Sequence, residues 1–303
     1  MRELLPSLKR WVARGDDVAL GVVVATRHSA PRPVGSALAV SSTGELVGSV
    51  SGGCVENEVA HEARARLAGD AAGTITYGIT DDQALEIGLP CGGEIDVFVS
   101  RADRDLVQRA IAALDEGFVV EPREVDGRLE LDVRPPPRLL VLGAVELTEA
   151  LCRAARLLGW HTIVADPRAK LATPERVPSA DEIHVAWPDE AVENAAPDSA
   201  TAIVVLTHED RFDIPALSAA LASEAFYVGA LGSRRTQARR REQLVDQGVS
   251  DDALERIHGP VGLDLGAETT AETALAILAE IVAARRGRTA SSLRERDTPI
   301  HAA

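Results

Sequence analysis

The sequence is short of aromatic residues, cysteine and basic residues, and each shortage argues against a class of protein. Aromatic residues make up 3% of the 303 residues, so aliphatic side chains must form most of the interior. The three cysteines include no Cys-x-x-Cys pair, which supports neither a disulfide framework nor a structural zinc site. With 32 basic and 47 acidic residues, the formal charge of −15 argues against a nucleic-acid partner.

Long apolar runs and several catalytic motifs are also missing. The longest apolar run, residues 18–25, is too short to cross a bilayer, and the N-terminus has no apolar core of signal-peptide length. We therefore expect a cytoplasmic protein without stable membrane insertion. The sequence contains no HExxH motif, no Walker lysine and no Ser-His-Asp order.

The order of predicted elements indicates an α/β protein with two domains. Three prolines at 135–137 cannot continue a helix or a central strand, so we place a linker there, after a smaller N-terminal α+β domain at 1–134. Short apolar strands then alternate with helical segments, which predicts a parallel, doubly wound, Rossmann-like sheet within 138–288. A polar tail follows at 289–303.

Two stretches that combine glycine with cysteine form the first candidate site. SGGCVENE at 51–58 places a thiol at the predicted first turn of a helix, and GLPCGG at 88–93 repeats the combination. Because glycine adopts positive φ, the N–H groups of such loops can converge on a ligand. Nothing local orients a base for nucleophilic catalysis. The residues singled out are Gly52, Gly53, Cys54, Glu56, Cys91, Gly92 and Gly93.

A further glycine-rich stretch, GALGSRR at 229–235, is a candidate anion site. It follows a predicted strand and opens a helix, so its N–H groups, serine hydroxyl and arginines could hold a phosphate. The basic cluster is exceptional in an acidic chain, and ligands bind at the carboxyl ends of parallel strands. A histidine after a neighbouring strand could act as acid or base, or simply cap a turn. These candidates are Gly229, Gly232, Ser233, Arg234, Arg235, His208 and, in the loop at 260–268, Asp264.

A dinucleotide fingerprint is present only in part. Asp166 stands about 20 residues after the first strand of the second domain, where such folds keep a ribose-binding carboxylate. The turn GAVELT at 143–148 departs from GxGxxG, because Val145 adds bulk and Glu146 adds negative charge where the backbone would meet a pyrophosphate. NAD(P) binding in the usual pose is therefore disfavoured, whereas Cys152, on an apolar helix face, is predicted to be a core residue.

Four motifs together resemble those of the XdhC/CoxI family of xanthine dehydrogenase accessory proteins. They are SGGCVE at 51–56, the segment from YGITDD to GLPCGG at 77–93, YVGALGSRR at 227–235 and PVGLDLGAE at 260–268. The resemblance extends over nearly the whole chain and implies an N-terminal XdhC/CoxI domain and a C-terminal Rossmann domain.

The resemblance also implies a function. Members of the family bind molybdenum cofactor, protect it during the exchange of an oxo ligand for sulfur, and pass it to a molybdenum hydroxylase, without turnover of their own. The cofactor would be molybdopterin or its dinucleotide form, with Cys54 and Cys91 at the metal and the loop at 229–235 at the phosphate. The implied partners are the hydroxylase client and a cysteine desulfurase as sulfur donor.

Two other functions stay open from the sequence. The chain could be an NAD(P)-dependent oxidoreductase that uses Asp166, or an adaptor that only docks a client. A homodimer is also expected, because Rossmann domains often pair.

Overall fold

The computed structural model describes residues 1–28, 30–78 and 93–295. The chain divides into two compact units. The N-terminal unit is Met1–Pro135 together with the segment that begins at Leu293, and the C-terminal unit is Pro136–Ser292. None of the helices among the described residues is both long enough and apolar enough to span a membrane.

The N-terminal unit contains a five-stranded antiparallel sheet in the order β3-β2-β1-β5-β4, together with a separate β6–β7 hairpin. A 3₁₀ turn at Arg2–Leu4 opens the chain. The elements are α1 (Leu5–Arg14), β1 (Val18–Arg27), β2 (Ala37–Ser41), β3 (Leu46–Gly48), α2 (Glu56–Ala68), β4 (Gly73–Tyr77), β5 (Glu94–Ala102), α3 (Arg104–Asp115), β6 (Val119–Val125) and β7 (Arg128–Arg134).

Strand β1 is buried on both faces, which explains its almost continuous apolar sequence. Its alternate residues point to opposite faces of the sheet, so Ala19 and Val23 pack with α2 while Val18, Leu20 and Val22 pack with α1 and α3. Helix α2 lies so close to β1 that a Cβ at Gly21 would come within 2.5 Å of a methyl group of Val59. This contact sets the spacing between β1 and α2, the helix that follows the cysteine loop.

The C-terminal unit is a six-stranded parallel sheet in the order β10-β9-β8-β11-β12-β13. The elements are β8 (Arg138–Leu142), α4 (Glu146–Leu157), β9 (His161–Ala165), β10 (Glu182–His184), α5 (Pro188–Ala195), β11 (Thr201–Val205), α6 (Asp210–Ala222), β12 (Tyr227–Ala230), α7 (Arg234–Asp246), α8 (Asp251–Leu254), β13 (Ile257–His258) and α9 (Thr270–Arg285). A 3₁₀ turn at Leu293–Glu295 ends the described part of the chain.

Helices cover both faces of this sheet, so the predicted doubly wound, Rossmann-like fold is confirmed. In β8, Leu139 and Val141 pack with α4 and α9, whereas Leu140 and Leu142 pack with the core on the α5 and α6 side. Thr269 caps α9 and forms a capping box with Glu272. The strand order is that of a dinucleotide-binding fold, in which ligands bind beyond the carboxyl ends of the strands.

Candidate functional site

The first candidate site is the loop that joins β3 to α2. Gly52 and Gly53 have φ values of +79° and +118°, which other residues rarely adopt. A Cβ at either position would meet no atom within 4 Å, so backbone conformation alone requires the two glycines. Cys54 is exposed and lies two residues before Glu56, where α2 begins. The prediction that Cys54 belongs to the first turn of the helix is therefore wrong by two residues.

The carboxylate of Glu56 organises this loop. Its Oε1 accepts hydrogen bonds from the Ser49 hydroxyl at 2.6 Å, from Val50 N at 3.1 Å and from Ser51 N at 2.9 Å. Its Oε2 accepts from the Ser51 hydroxyl at 2.6 Å and from Gly53 N at 2.8 Å. Five donors thus converge on one side chain, which closes the loop back onto the helix that follows it.

Two serine hydroxyls extend the network to the cysteine. The Ser51 hydroxyl oxygen accepts from Cys54 N at 2.9 Å and from Val55 N at 3.0 Å, and the Ser49 hydroxyl oxygen accepts from Gly52 N at 2.8 Å. The N–H groups that we expected to face a ligand are therefore bonded inside the loop. The group that this loop offers to a ligand is the exposed thiol of Cys54.

The ionised form of Glu56 is strongly favoured. Partial burial would raise its pKa, but the hydrogen bonds from Ser49 and Ser51 outweigh this effect and lower the pKa from 4.5 to about 2. The carboxylate is therefore charged at neutral pH and accepts all five hydrogen bonds. In this geometry Glu56 positions the thiol, and its predicted contact with a cofactor stays a prediction.

The second cysteine stretch lies largely outside the described residues. Cys91 and Gly92 fall in the segment 79–92, and Gly93 is a buried residue directly before β5. Among the residues that the structure does describe, no group of three or more His, Cys, Asp or Glu side chains could hold a metal ion. A metal contact by Cys54 and Cys91 stays a prediction.

In the C-terminal unit, the candidate anion site lies between β12 and α7. Ser233 is the N-cap residue of α7, and its hydroxyl accepts from Thr236 N at 3.1 Å. Arg234 and Arg235 are exposed in the first turn, where the helix dipole also favours an anion. A Cβ at Gly229 would lie 2.6 Å from Val261, so Gly229 is required by packing rather than by a ligand.

The same loop is tied to its neighbour by a buried ion pair that the sequence did not reveal. Arg240 and Asp213 have side chains that are each 1% exposed and form an ion pair. The guanidinium also donates to Leu231 O at 2.7 Å, and the Thr207 hydroxyl donates to Asp213. The pair thus connects the loops after β11 and β12. Gln237, Arg240 and Leu244 recur at helical spacing, which places them on one face of α7. This spacing is the sequence signal that could have indicated a buried Arg240.

His208 and Asp264 are both exposed. His208 follows the buried Thr207 beyond the end of β11. Asp264 lies in the loop after β13, which Glu280 of α9 holds by accepting hydrogen bonds from Gly262 N at 2.8 Å and from the Tyr227 hydroxyl at 2.5 Å. The structure therefore places both residues in loops that can meet solvent or a ligand.

The turn between β8 and α4 is satisfied by the protein itself. Gly143 N donates to Ala165 O at 2.8 Å, Ala144 N to Asp166 at 2.8 Å and Val145 N to the Thr148 hydroxyl at 3.1 Å. A pyrophosphate in the usual pose would need N–H groups of this turn. The turn therefore helps to pack the fold and presents few free donors.

Asp166 is fully buried and engaged by its own neighbours. Besides Ala144 N, its carboxylate accepts from Arg168 N at 2.8 Å, Nε at 2.9 Å and Nη2 at 2.7 Å. Although burial opposes it, the hydrogen bonds from Arg168 and Ala144 lower the pKa of Asp166. As predicted, Cys152 is buried in the core of the unit, and burial raises the pKa of its thiol to about 12.

Comparison with known proteins agrees with the motifs. Residues 139–281 match the XdhC Rossmann domain, and residues 11–78 match the XdhC and CoxI family. The molybdenum cofactor insertion chaperone PaoD of Escherichia coli is 30% identical over 293 residues, which cover 89% of this chain and 84% of PaoD. The uncharacterised protein YqeB of E. coli is 30% identical over 267 residues, but these cover 87% of this chain and only 43% of YqeB.

Two Bacillus proteins are more distant. A probable xanthine dehydrogenase subunit of Bacillus subtilis is 24% identical over 317 residues, which cover 89% of this chain and 94% of that protein. The crystal structure of BH1974 from Bacillus halodurans, described as a xanthine dehydrogenase, gives a TM-score of 0.72 at 23% identity, over 95% of this chain and 98% of that one. At 23% identity, the match to the crystal structure supports a shared fold and nothing further.

Proposed function

The chain belongs to the XdhC/CoxI family, and we propose that it binds molybdenum cofactor and assists its insertion into a molybdenum hydroxylase. The similarity to PaoD supports this role, because PaoD is named as an insertion chaperone and 84% of its length aligns with the chain. The finer parts of the proposal are sulfuration of the bound cofactor, with sulfur from a cysteine desulfurase, and a client of the xanthine dehydrogenase, aldehyde oxidase or carbon monoxide dehydrogenase type. The cofactor would be molybdopterin or its dinucleotide form.

The observation that carries the proposal is the exposed arginine pair at the start of α7. Arg234 and Arg235 follow the Ser233 cap at the carboxyl edge of a parallel sheet, in a chain with a net charge of −15. Molybdenum cofactor ends in a phosphate or a pyrophosphate. Such a group is bound well by guanidinium groups and by the positive end of a helix.

The thiol of Cys54 supplies the second part of the proposal. Molybdenum accepts sulfur ligands, and soft thiolates suit such metals. Cys54 is exposed on a loop whose backbone is fixed by Ser51 and Glu56, so its thiol can approach or shield the metal end of the cofactor. Cys91 is proposed for the same role on the sequence alone.

The oxidoreductase alternative receives less support from the geometry. The carboxylate of Asp166, which would bind a ribose, already accepts four hydrogen bonds from Ala144 and Arg168. The N–H groups of the neighbouring turn are also engaged. A titration with NAD(P)H tests this alternative, and micromolar binding with turnover would favour it over the chaperone.

The experiment that tests the proposal measures molybdenum and pterin in the protein purified from a cofactor-producing host. Stoichiometric cofactor in the wild type, and its loss in Cys54→Ser and in Arg234→Ala combined with Arg235→Ala, would support the role and the site. Arg241→Ala is the matched control, because Arg241 lies on the same helix and pairs with Asp251 instead. A wild type that is empty and takes up no added cofactor would refute the proposal.

A further inference from the structure

A cavity of about 330 Å³ opens beside the edge strand β10 of the C-terminal unit. It is lined by Ile163 and Ala165 of β9, by Ala191 and Ala195 of α5 and by residues of β10 and the segment that follows it. The volume is at the small end of the range for ligand pockets, about 300–1,000 Å³. The cavity is large enough for one apolar side chain, and its small lining residues create the space.

The strand beside this cavity is an open edge. In the six-stranded sheet, β10 pairs with β9 on one side, and no described strand pairs with its other side. An open edge can accept an extended peptide through main-chain hydrogen bonds, while alternate side chains of the peptide enter pockets next to the strand. Val185 and Trp187, just past the strand, are 57% and 47% exposed and extend the apolar surface.

The acidic residues near the cavity favour a basic partner over a second copy of the chain. Residues 181–193 carry five acidic side chains and no lysine or arginine. These acidic residues are Asp181, Glu182, Asp189, Glu190 and Glu193. Asp181 accepts hydrogen bonds from Thr162, and Glu182 pairs with His161 and His184, so the charge that a partner meets lies mainly on the three carboxylates of α5. A second copy of the chain would bring the same acidic segment to the interface, and like charges placed opposite each other repel. A basic partner gains both attraction and faster association.

We infer that the open edge of β10 and the adjoining cavity bind an extended, basic segment of another polypeptide. One apolar side chain of that segment fills the cavity, the backbone pairs with β10, and lysine or arginine side chains face the acidic residues of 181–193. The inference can be tested on protein that carries no cofactor, so its failure and the failure of the proposed function can be told apart.

The test uses a blocked seven-residue peptide in which lysine alternates with leucine. Trp187 is a natural reporter, because Trp11 and Trp160 are 0% and 5% exposed. We expect a saturable change in fluorescence and slower amide exchange in β10. Ala195→Leu, which fills the cavity, should weaken binding roughly tenfold or more, as expected for a hot-spot pocket. Ala271→Leu, an equal enlargement at an exposed site on α9, is the matched control.

Two altered peptides keep the test decisive even if the cavity variant fails to fold. N-methylation of alternate amides removes the strand donors, and replacement of lysine by glutamate reverses the charge, so both should abolish binding. Equal binding by either peptide would overturn the inference, and so would wild-type protein that binds none of the peptides at millimolar concentration. Sedimentation showing a dimer that Ala195→Leu dissociates would assign the edge to a second copy instead.

Discussion

The Glu56→Gln substitution is the sharpest probe of the cysteine loop. The amide keeps one acceptor oxygen but places an NH2 group where Oε2 now accepts from the Ser51 hydroxyl and Gly53 N. Hydrogen bonds to a charged acceptor each contribute about 1.5–3 kcal/mol. The change in pKa from 4.5 to about 2 sets a ceiling of about 3 kcal/mol by linkage. Solvent screening of this half-buried group reduces the expected loss to about 2 kcal/mol.

The assay is urea unfolding of the N-terminal unit. In a Trp160→Phe, Trp187→Phe background, the buried Trp11 reports on this unit. A loss of about 2 kcal/mol should lower the urea midpoint by roughly 1 M, at a typical m-value. Glu58→Gln is the control, because it removes the same charge from the same helical turn and leaves the loop network intact.

The pH dependence gives a second test of the same reasoning. The pKa of Glu56 is lowered on folding, so its stabilisation is fully present above the ordinary value of 4.5 and is lost as the pH falls towards about 2. The difference between wild type and Glu56→Gln should shrink over that interval. An unchanged midpoint at pH 7, or a difference that does not depend on pH, would refute the assigned role of Glu56.

Three further predictions concern the effects of burial and exposure. Arg240→Met should destabilise the C-terminal unit by about 3–5 kcal/mol, because it leaves Asp213 buried without its partner; a smaller loss on chemical unfolding would contradict the pair's importance. Gly143→Ala should cost about 1–3 kcal/mol in thermal unfolding, since φ is +114° and the new Cβ would lie 2.9 Å from a threonine methyl group. A thiol reagent with peptide mapping should modify exposed Cys54 within minutes and buried Cys152 only after unfolding.

Much of the fold could be predicted because its signals are local and periodic. In 104–115 apolar residues recur at helical spacing, a pattern that predicts a helix, and α3 has these bounds. The alternation of short apolar strands with helices was enough to predict the parallel sheet. The two-residue strand β13 was not predicted, because so short a segment has no periodicity.

The hydrogen bonds of the candidate site were much harder to predict. The predicted contact of Glu56 with a cofactor stays a prediction. The structure adds that its carboxylate accepts hydrogen bonds from the preceding loop, and the sequence contains no signal for that direction. Arg240 lies in a run of arginines at 239–241, yet its side chain is 1% exposed. Both outcomes depend on which donors and acceptors tertiary packing brings together.

The closed network of the cysteine loop has a consequence for how quickly a ligand can be exchanged. Glu56 and the two serines fix the backbone before any ligand binds. The conformational-entropy cost of ordering the loop is therefore incurred on folding and does not reduce the affinity for a ligand. Release likewise requires no loop to unfold. In the proposed role of an insertion chaperone, such a rigid loop would make precise geometry compatible with rapid transfer of the cofactor.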